Sequence, residues 1–241
     1  MFIDFHNDQT HLLFKMKKVV FIFSFLISSI FLFPKQAQSQ EIGQKTRILF
    51  VFDASQSMYA RWDKGQKMQV ATRLLRNMVD SLKSADGVEL ALRVYGHQNS
   101  VTSDGRNCKD TKLEVPFGPK NHKKITDKLS SLRPKGTTLI AYALEQAAND
   151  FTPCTNCRNV IILITDGIEE CDGDPCAVSL ALQKRGVILK PFVIGLGLEP
   201  EVMDAFDCVG TFYDARDEAT FKEVLDVGIS QALNNTTAKV N

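Results

Sequence analysis

Oxygen-bearing side chains lie together where one apolar run of the sequence ends. The run is Ile48–Phe52, and it is followed by Asp53 and then, at alternate positions, by Ser55 and Ser57. A short apolar run that stops at polar residues is typical of a strand buried on both faces of a parallel sheet. Asp53 would then lie at the carboxyl end of that strand, which is where open α/β sheets bind ligands. One carboxylate and two hydroxyls on one tight loop are hard oxygen donors, the kind of ligand that Mg²⁺ prefers.

Two later segments supply further oxygen donors of the same kind. Gly136 is followed by Thr137 and Thr138 at the start of a helical pattern, and a second buried apolar run, Asn159–Thr165, ends at Asp166. Taken singly, each residue has an ordinary explanation, because aspartate, serine and threonine are common in turns and at helix N-termini. Their combination on three loops, two of them at the carboxyl ends of predicted strands, favours a shared cation site.

The three motifs, Asp-x-Ser-x-Ser, Gly-x-Thr and Thr-Asp-Gly, occur in this order along the chain. The sequence therefore resembles the von Willebrand factor A (VWA) family with a complete metal-ion-dependent adhesion site (MIDAS), in its bacterial secreted form. The resemblance extends from about Lys45 to about Ala232. In it Thr138, not Thr137, takes the place of the family threonine. The metal ligands that the resemblance implies are Asp53, Ser55, Ser57, Thr138 and Asp166.

The resemblance implies an adhesion-type binding function in which the cation is shared with a partner protein. In the family only some of these two carboxylates and three hydroxyls contact the ion directly, and the others act through water. The ion is therefore neutralised incompletely, and one coordination position stays open for an Asp or Glu carboxylate of the partner. Mg²⁺ is the expected ion, with Mn²⁺ or Ca²⁺ as substitutes, because hydroxyl ligands and a small shell suit the smaller cation. We therefore expect protein binding that requires the cation and that EDTA abolishes.

Two other classes of function fit parts of the pattern. A metal-dependent, phosphatase-like hydrolase can also carry a strand that ends in a nucleophilic aspartate. Such enzymes place a second aspartate two residues later, where this chain has Ser55, and the sequence contains no Gly-x-Ser-x-Gly motif. We therefore predict that the protein is not an enzyme. A metal-free assembly or scaffold domain is the other alternative, and the intact motif counts against it.

Strands and helices alternate along the chain, which predicts an α/β, doubly wound (Rossmann-like) sheet with helices on both faces. The family resemblance implies six strands, mostly parallel, with Leu113–Phe117 as an antiparallel edge strand. Gly96–Thr111 would then be a hairpin connection beside the metal. We expect a lead-in at 40–46, the VWA domain at 47–233 and a polar tail at 234–241. The hydrophobic pattern also predicts a helix over Thr138–Asp150 and a strand over Val187–Ile194.

Several residues close to the proposed site in sequence allow two interpretations. Trp62 could be an exposed anchor for a partner, or it could pack against the first helix. Glu169 and Glu170 could act on the ion through water or through their charge, or they could belong to a solvated loop. A disulfide between Cys171 and Cys176 would stiffen the rim of the site.

The cysteines point to an oxidising compartment. All six follow the predicted leader: Cys108, Cys154, Cys157, Cys171, Cys176 and Cys208. An even number in an exported chain suggests disulfides, but the sequence cannot choose among the pairings. Cys154 and Cys157 are also spaced like half of a zinc site or a redox motif, although Cys171 and Cys176 make a poor second pair for zinc. Free thiols are the remaining alternative.

The N-terminal segment 1–39 has the features of a secretory signal peptide. Met16 opens a short basic stretch, Val19–Phe33 is apolar, and small residues follow at Ala37–Ser39. We expect Met16 to be the true initiator and the mature protein to be secreted, periplasmic or on the cell surface. An uncleaved anchor is the alternative, although the apolar run is short for a membrane span of about 20 residues.

The charge balance excludes an electrostatic nucleic-acid interface. The chain has 29 basic and 28 acidic residues, which fall to 25 and 26 once the four Lys and two Asp of residues 1–39 are set aside. The basic residues are scattered along the sequence, whereas nucleic-acid-binding proteins concentrate them on one face. We therefore expect protein partners and no nucleic acid.

Overall fold

The computed structural model describes residues 45–102, 105–188 and 190–234. The predicted signal peptide, the proposed initiator Met16, most of the lead-in and the tail beyond residue 234 lie outside these ranges. Within the described ranges, no helix combines the length and the apolar character that a membrane span requires.

The described residues contain one six-stranded sheet and one small hairpin. The strands are β1 (Lys45–Asp53), β2 (Arg61–Trp62), β3 (Gly65–Gln66), β4 (Val88–Tyr95), β5 (Thr111–Gly118), β6 (Cys157–Thr165), β7 (Phe192–Leu196) and β8 (Thr211–Ala215). The sheet has the order β5-β4-β1-β6-β7-β8, and β2 pairs with β3. Neighbouring strands in the sheet are parallel except β5, which is antiparallel to β4 at one edge. The predicted strand arrangement is therefore confirmed.

Helices cover both faces of this sheet. They are α1 (Lys67–Ser81), α2 (His122–Ser131), α3 (Ile140–Asp150), α4 (Pro175–Lys184), α5 (Pro200–Met203) and α6 (Glu218–Asn234). Successive residues of a strand point to opposite faces. In β1, accordingly, Ile48, Phe50 and Phe52 belong to the core with α1, α2 and α6, whereas Leu49 and Val51 belong to the core with α3 and α4. All five are fully buried, which explains the uninterrupted apolar run and confirms the doubly wound architecture.

One predicted strand begins later than its hydrophobic pattern indicates. β7 starts at Phe192 and not at Val187. The backbone N–H of Val187 instead donates to the carbonyl of Leu182 (3.0 Å) near the end of α4. Pro191 has no N–H to donate to a neighbouring strand, so the ladder cannot extend through it. The prediction was wrong here because the apolar residues that follow a helix are of the same types as those that form a strand. The hydrophobic pattern alone does not separate the two.

A cluster of charged side chains around Glu114 connects the antiparallel edge strand β5 to its neighbours. One Glu114 carboxylate oxygen lies 2.9 Å from His97 Nε2 and 3.2 Å from Lys112 Nζ, and the other lies 2.7 Å from Lys128 Nζ of α2. Burial opposes ionisation of Glu114. The hydrogen bonds from Lys128, His97 and Lys112 outweigh it and lower the pKa of the Glu114 carboxyl to about 2. His97 thus has a structural role, as the lack of any zinc-like spacing around it suggests.

Glu114→Gln is expected to lower the free energy of unfolding at pH 7 by about 1 kcal/mol, a modest loss because solvent screens charges near the surface. A carboxyl whose folded pKa is lowered stabilises the protein above its unfolded pKa, so this contribution disappears as the pH falls from about 4.5 towards about 2. Urea unfolding of both proteins at several pH values measures the difference. Asp127→Asn, in an exposed pair with Lys123, is the control, and a loss independent of pH would contradict the assignment.

Candidate metal centre

Asp53 is a fully buried carboxylate at the carboxyl end of β1. Its Oδ1 accepts the backbone N–H of Ser55 (2.7 Å), which tightens the turn that follows the strand. Its Oδ2 accepts the hydroxyls of Tyr95 on β4 (2.9 Å) and of Thr165 on β6 (2.8 Å). Because β4 and β6 flank β1, the two neighbouring strands together fix the orientation of this carboxylate.

A chain of polar contacts leads from the serine loop to the end of β6. Ser55 Oγ and Ser57 Oγ lie 2.9 Å apart, and Ser57 Oγ donates to Asp166 Oδ1 (2.7 Å). The second oxygen, Asp166 Oδ2, accepts from Lys67 Nζ (3.0 Å) at the start of α1. The structure therefore brings four of the predicted ligand residues into one neighbourhood and adds a lysine that the sequence motifs do not include.

Thr138 reaches the same neighbourhood from the segment before α3. A Cβ atom placed on Gly167 would lie 3.6 Å from Thr138 Oγ1, so this hydroxyl faces the turn that follows Asp166. The backbone N–H of Thr138 donates to Glu170 Oε2 (2.9 Å), outside any helix. Leu139 has φ −134° and ψ 64°, outside the helical region, so α3 begins at Ile140 and not at Thr138 as predicted.

Two glycines allow the loops to approach one another. Gly96 has φ +69°, and a Cβ there would lie 2.9 Å from the backbone of Ser55. Gly136 forms a bridge with Ser55, and its carbonyl accepts the N–H of Gln56 (2.8 Å). A Cβ on Gly136 would lie 2.9 Å from the carbonyl oxygen of Asn99. Since real Cβ atoms do not approach so closely, both positions require glycine for the loops to meet.

The electrostatics of the centre suit a divalent cation. Burial, followed by the negative charge of Asp166, raises the pKa of Asp53 to about 6, against the hydrogen bonds from Ser55 and Thr165 that lower it. A cation between Asp53 and Asp166 would offset both the burial of the Asp53 charge and the repulsion between the two carboxylates. Within residues 45–102, 105–188 and 190–234, no group of three His, Cys, Asp or Glu side chains is placed to hold a metal. The donor set here is two carboxylates with neutral hydroxyls, which fits a hard ion that retains water.

Glu169 and Glu170 lie on the loop that follows β6, where Glu170 is exposed as the interpretation of a solvated loop expects, but both carboxylates also accept hydrogen bonds from the chain. Glu170 accepts the hydroxyl of Thr137 and the N–H of Thr138. Glu169 accepts the N–H of Ala141 (2.7 Å) in the first turn of α3. Both carboxylates therefore satisfy donors at a helix N-terminus that has no side-chain cap of its own. Their contacts span about 30 residues of sequence, and no local pattern signals them.

Trp62 is buried, so its interpretation as an exposed anchor was wrong. Its ring meets Phe221 of α6 edge-on with centroids 6.2 Å apart, and it also borders Gly197. Trp62 thus contacts α6, the last helix of the domain, whereas the sequence analysis considered packing against the first helix only. Its neighbours Tyr59 and Arg61 remain exposed.

The six cysteines form three disulfides: Cys108–Cys171, Cys154–Cys157 and Cys176–Cys208. The expected alternative of a bond between Cys171 and Cys176 was therefore wrong. Cys171 instead ties the loop after β6 to the β4–β5 loop, 63 residues earlier in the sequence. Both loops border the proposed cation site, so their separation is limited covalently. Cys154 and Cys157 bond to each other, which leaves neither thiol for zinc.

Comparison with known families and sequences gives a consistent result. Residues 48–227 match the family described as the von Willebrand factor type A domain. The uncharacterized protein YwmD of Bacillus subtilis (strain 168) is 30% identical over 157 residues, which cover 64% of this chain and 69% of that protein. The uncharacterized protein YwmC of the same organism is 27% identical over 166 residues, or 68% of this chain and 71% of that protein.

Solved structures share the fold. BatB from Bacteroides thetaiotaomicron has a TM-score of 0.61 at 19% identity, over 78% of this chain and 98% of that chain. Proximal thread matrix protein 1 from the mussel byssus, solved with a zinc-occupied MIDAS motif, has a TM-score of 0.60 at 20% identity. The match covers 79% of this chain and 46% of that chain. The pilus adhesin SpaC from Lactobacillus rhamnosus GG has a TM-score of 0.66 at 14% identity, and the match covers 80% of this chain and 31% of that chain. At these identities the likeness concerns the fold.

Proposed function

This chain belongs to the von Willebrand factor type A family, and from that premise we propose that it is an exported binding module whose cation is completed by a partner's Asp or Glu. The observation that carries the proposal is the convergence of Asp53, Ser55, Ser57 and Asp166, linked by short polar contacts. Asp53 ends β1, the two serines follow it, Asp166 follows β6, and Thr138 on a third segment faces the turn after Asp166.

The residues that would hold the ion have distinct tasks. Asp53 and Asp166 would supply the negative charge, and Ser55, Ser57 and Thr138 would supply neutral oxygens. Mg²⁺ is the proposed ion, with Mn²⁺ or Ca²⁺ as substitutes, because the donors are all oxygen and few are charged. When bound, the ion supplies a coordination position for an outside carboxylate. Ser57 is exposed, so that carboxylate would approach the ion from the side of the serine loop.

Export is proposed from two independent features. The described cysteines form disulfides, which persist in secreted, periplasmic and cell-surface proteins and are rare in the cytosol. The N-terminal sequence has the basic, apolar and small-residue order of a signal peptide. Together they support a protein that meets its partners outside the cytoplasm.

A metal-free scaffold is the second candidate, and one contact favours it. Lys67 already pairs with Asp166, at 3.0 Å, so the centre has an internal positive charge. A single ammonium balances only one of the two carboxylates, however, and the burial of Asp53 leaves its charge costly. The cation-binding function therefore accounts for more of the site than the scaffold does.

Ser57→Ala is expected to weaken Mg²⁺ binding about tenfold or more, because it removes one proposed ligand without disturbing a core residue. Calorimetry with Mg²⁺ measures the affinity directly. Capture of proteins from the surface fraction of the producing cell, compared in Mg²⁺ and in EDTA, measures the binding function. We expect capture by the wild-type protein in Mg²⁺ and none in EDTA.

The matched control is Ser130→Ala, the same substitution on α2, where the hydroxyl only donates to the carbonyl of Thr126. It should bind Mg²⁺ like the wild-type protein. Capture that is equal in Mg²⁺ and EDTA would favour the scaffold instead.

A further inference from the structure

Exposed apolar side chains are concentrated around the proposed cation site. Among the described residues, the large apolar side chains that are exposed are Tyr59, Val101, Ile168 and Leu180, each between 46% and 49% accessible. Tyr59 comes two residues after Ser57, and Ile168 comes two residues after Asp166. A single exposed apolar residue needs no explanation. Three of these four either follow a proposed ligand by two residues or, in the case of Val101, line a cleft with the site serines, which favours a contact surface there.

Val101 connects these apolar residues to the site itself. It lines a cleft of about 250 Å³ together with the site serines Ser55 and Ser57. Arg106 and Thr137 line the same cleft. A ligand group in this cleft would therefore have the site serines, an apolar side chain and a guanidinium as neighbours.

Arg106 is held in place at this cleft. Its guanidinium donates to the backbone carbonyl of Glu170, and the disulfide Cys108–Cys171 joins the same two loops. Glu170 also lines the cleft, but its carboxylate is already taken up by two donors of the Thr137–Thr138 segment. Of the described lining residues, Arg106 is the cationic one. With a divalent ion beside the serines, the cleft attracts an anionic group.

We propose that the partner presents its acidic residue on an exposed segment with apolar side chains on both sides, and that these pack on Tyr59, Val101 and Ile168. This partner class rests on the proposed function above and narrows it. The carboxylate would supply the charge that the ion requires, and the flanking side chains would supply buried apolar area. Apolar contacts around a central polar anchor are typical of protein interfaces.

The test uses synthetic peptides as probes. One set carries a central Glu or Asp flanked by Leu, Ile or Phe, and a second set carries the same acid flanked by Ser. Fluorescence polarisation in Mg²⁺ and in EDTA measures binding. We expect the wild-type protein to bind the apolar-flanked set about tenfold more tightly, in Mg²⁺ only.

Two variants remove the contact surface and one serves as the matched control. Ile168→Ser and Val101→Ser should each reduce the preference for apolar flanks by severalfold. Leu180→Ser, at an equally exposed position on α4, should keep the full preference. Calorimetry with Mg²⁺ alone should give the same affinity for all three, because none is a proposed ligand.

The outcomes separate this proposal from the one on which it rests. Acidic peptides that bind in Mg²⁺ with no preference for apolar flanks would overturn the partner class and leave the cation-dependent function standing. An equal loss of preference in Leu180→Ser would also overturn it. No Mg²⁺-dependent binding of any acidic peptide would overturn both.

Discussion

Asp53→Asn is expected to weaken Mg²⁺ binding by at least about a hundredfold, or roughly 3 kcal/mol. The substitution keeps the shape of the side chain and removes one of the two negative charges of the proposed centre. With Lys67 paired to Asp166, the remaining charges of the centre would sum to zero. A divalent cation would then gain little from entering a buried site.

The stability of the metal-free variant should change much less than its affinity for the ion. Asparagine weakens the hydrogen bonds that Tyr95, Thr165 and the Ser55 backbone donate to the carboxylate. It also removes a buried charge whose pKa, raised to about 6, shows that ionisation at pH 7 costs stability. These effects oppose each other, so we expect a net change within about 1 kcal/mol.

Calorimetry and thermal unfolding with and without Mg²⁺ distinguish the two effects. The wild-type protein should melt at a higher temperature in Mg²⁺, because a ligand that binds only the folded state stabilises it, and Asp53→Asn should not respond. Asp150→Asn is the control, since Asp150 is also buried but pairs with Arg93 away from the site. It should lose stability and keep its Mg²⁺ response. A wild-type Mg²⁺ affinity in Asp53→Asn would refute the proposed ligand role.

Loss of the Cys108–Cys171 disulfide is expected to lower the free energy of unfolding by about 4 kcal/mol. The bond closes a loop across 63 residues, and in the chain-entropy description a longer loop restricts the unfolded chain more. The effect also reaches the binding surface, because the bond joins the β4–β5 loop to the loop after β6. The double variant Cys108→Ser with Cys171→Ser should therefore weaken peptide binding more than Mg²⁺ binding.

A second disulfide tests whether the length of the closed loop is the cause of the stabilisation. Cys154–Cys157 spans a sequence separation of only 3, so its removal should cost about 2 kcal/mol or less. Urea unfolding of the two double serine variants under oxidising conditions gives both values. Equal losses would show that loop length is not the origin of the stabilisation. The Cys154–Cys157 variant should also leave peptide binding unchanged.

Apart from the start of β7, the strands of the sheet could be predicted because burial on both faces produces short apolar runs that end at polar residues. The run Ile48–Phe52 and the polar residues after it located the edge where the site lies. The predicted ligands Ser57 and Asp166 meet because parallel strands place their carboxyl ends side by side. Local sequence and the rules of sheet topology were sufficient for this part.

The remaining features depend on contacts between residues that are distant in sequence. Lys67 meets Asp166 across 99 residues, and its charge is ordinary for the first turn of a surface helix. Glu170 satisfies donors 32 and 33 residues earlier. The pairing of Cys108 with Cys171 is one of many that the spacing allows. Trp62 packs against Phe221 of α6 and borders Gly197, and no pattern near Trp62 encodes these contacts.

The contact of the Lys67 ammonium with Asp166 also bears on whether this chain needs an ion in order to fold. Many small metalloproteins stay unfolded until their ion arrives, since nothing else holds their ligands together. Here the internal charge and the hydrogen bonds of the serine loop already hold Asp166 in place. Folding of this chain should therefore not depend on a divalent cation, because these contacts connect Ser57, Asp166 and Lys67 without one.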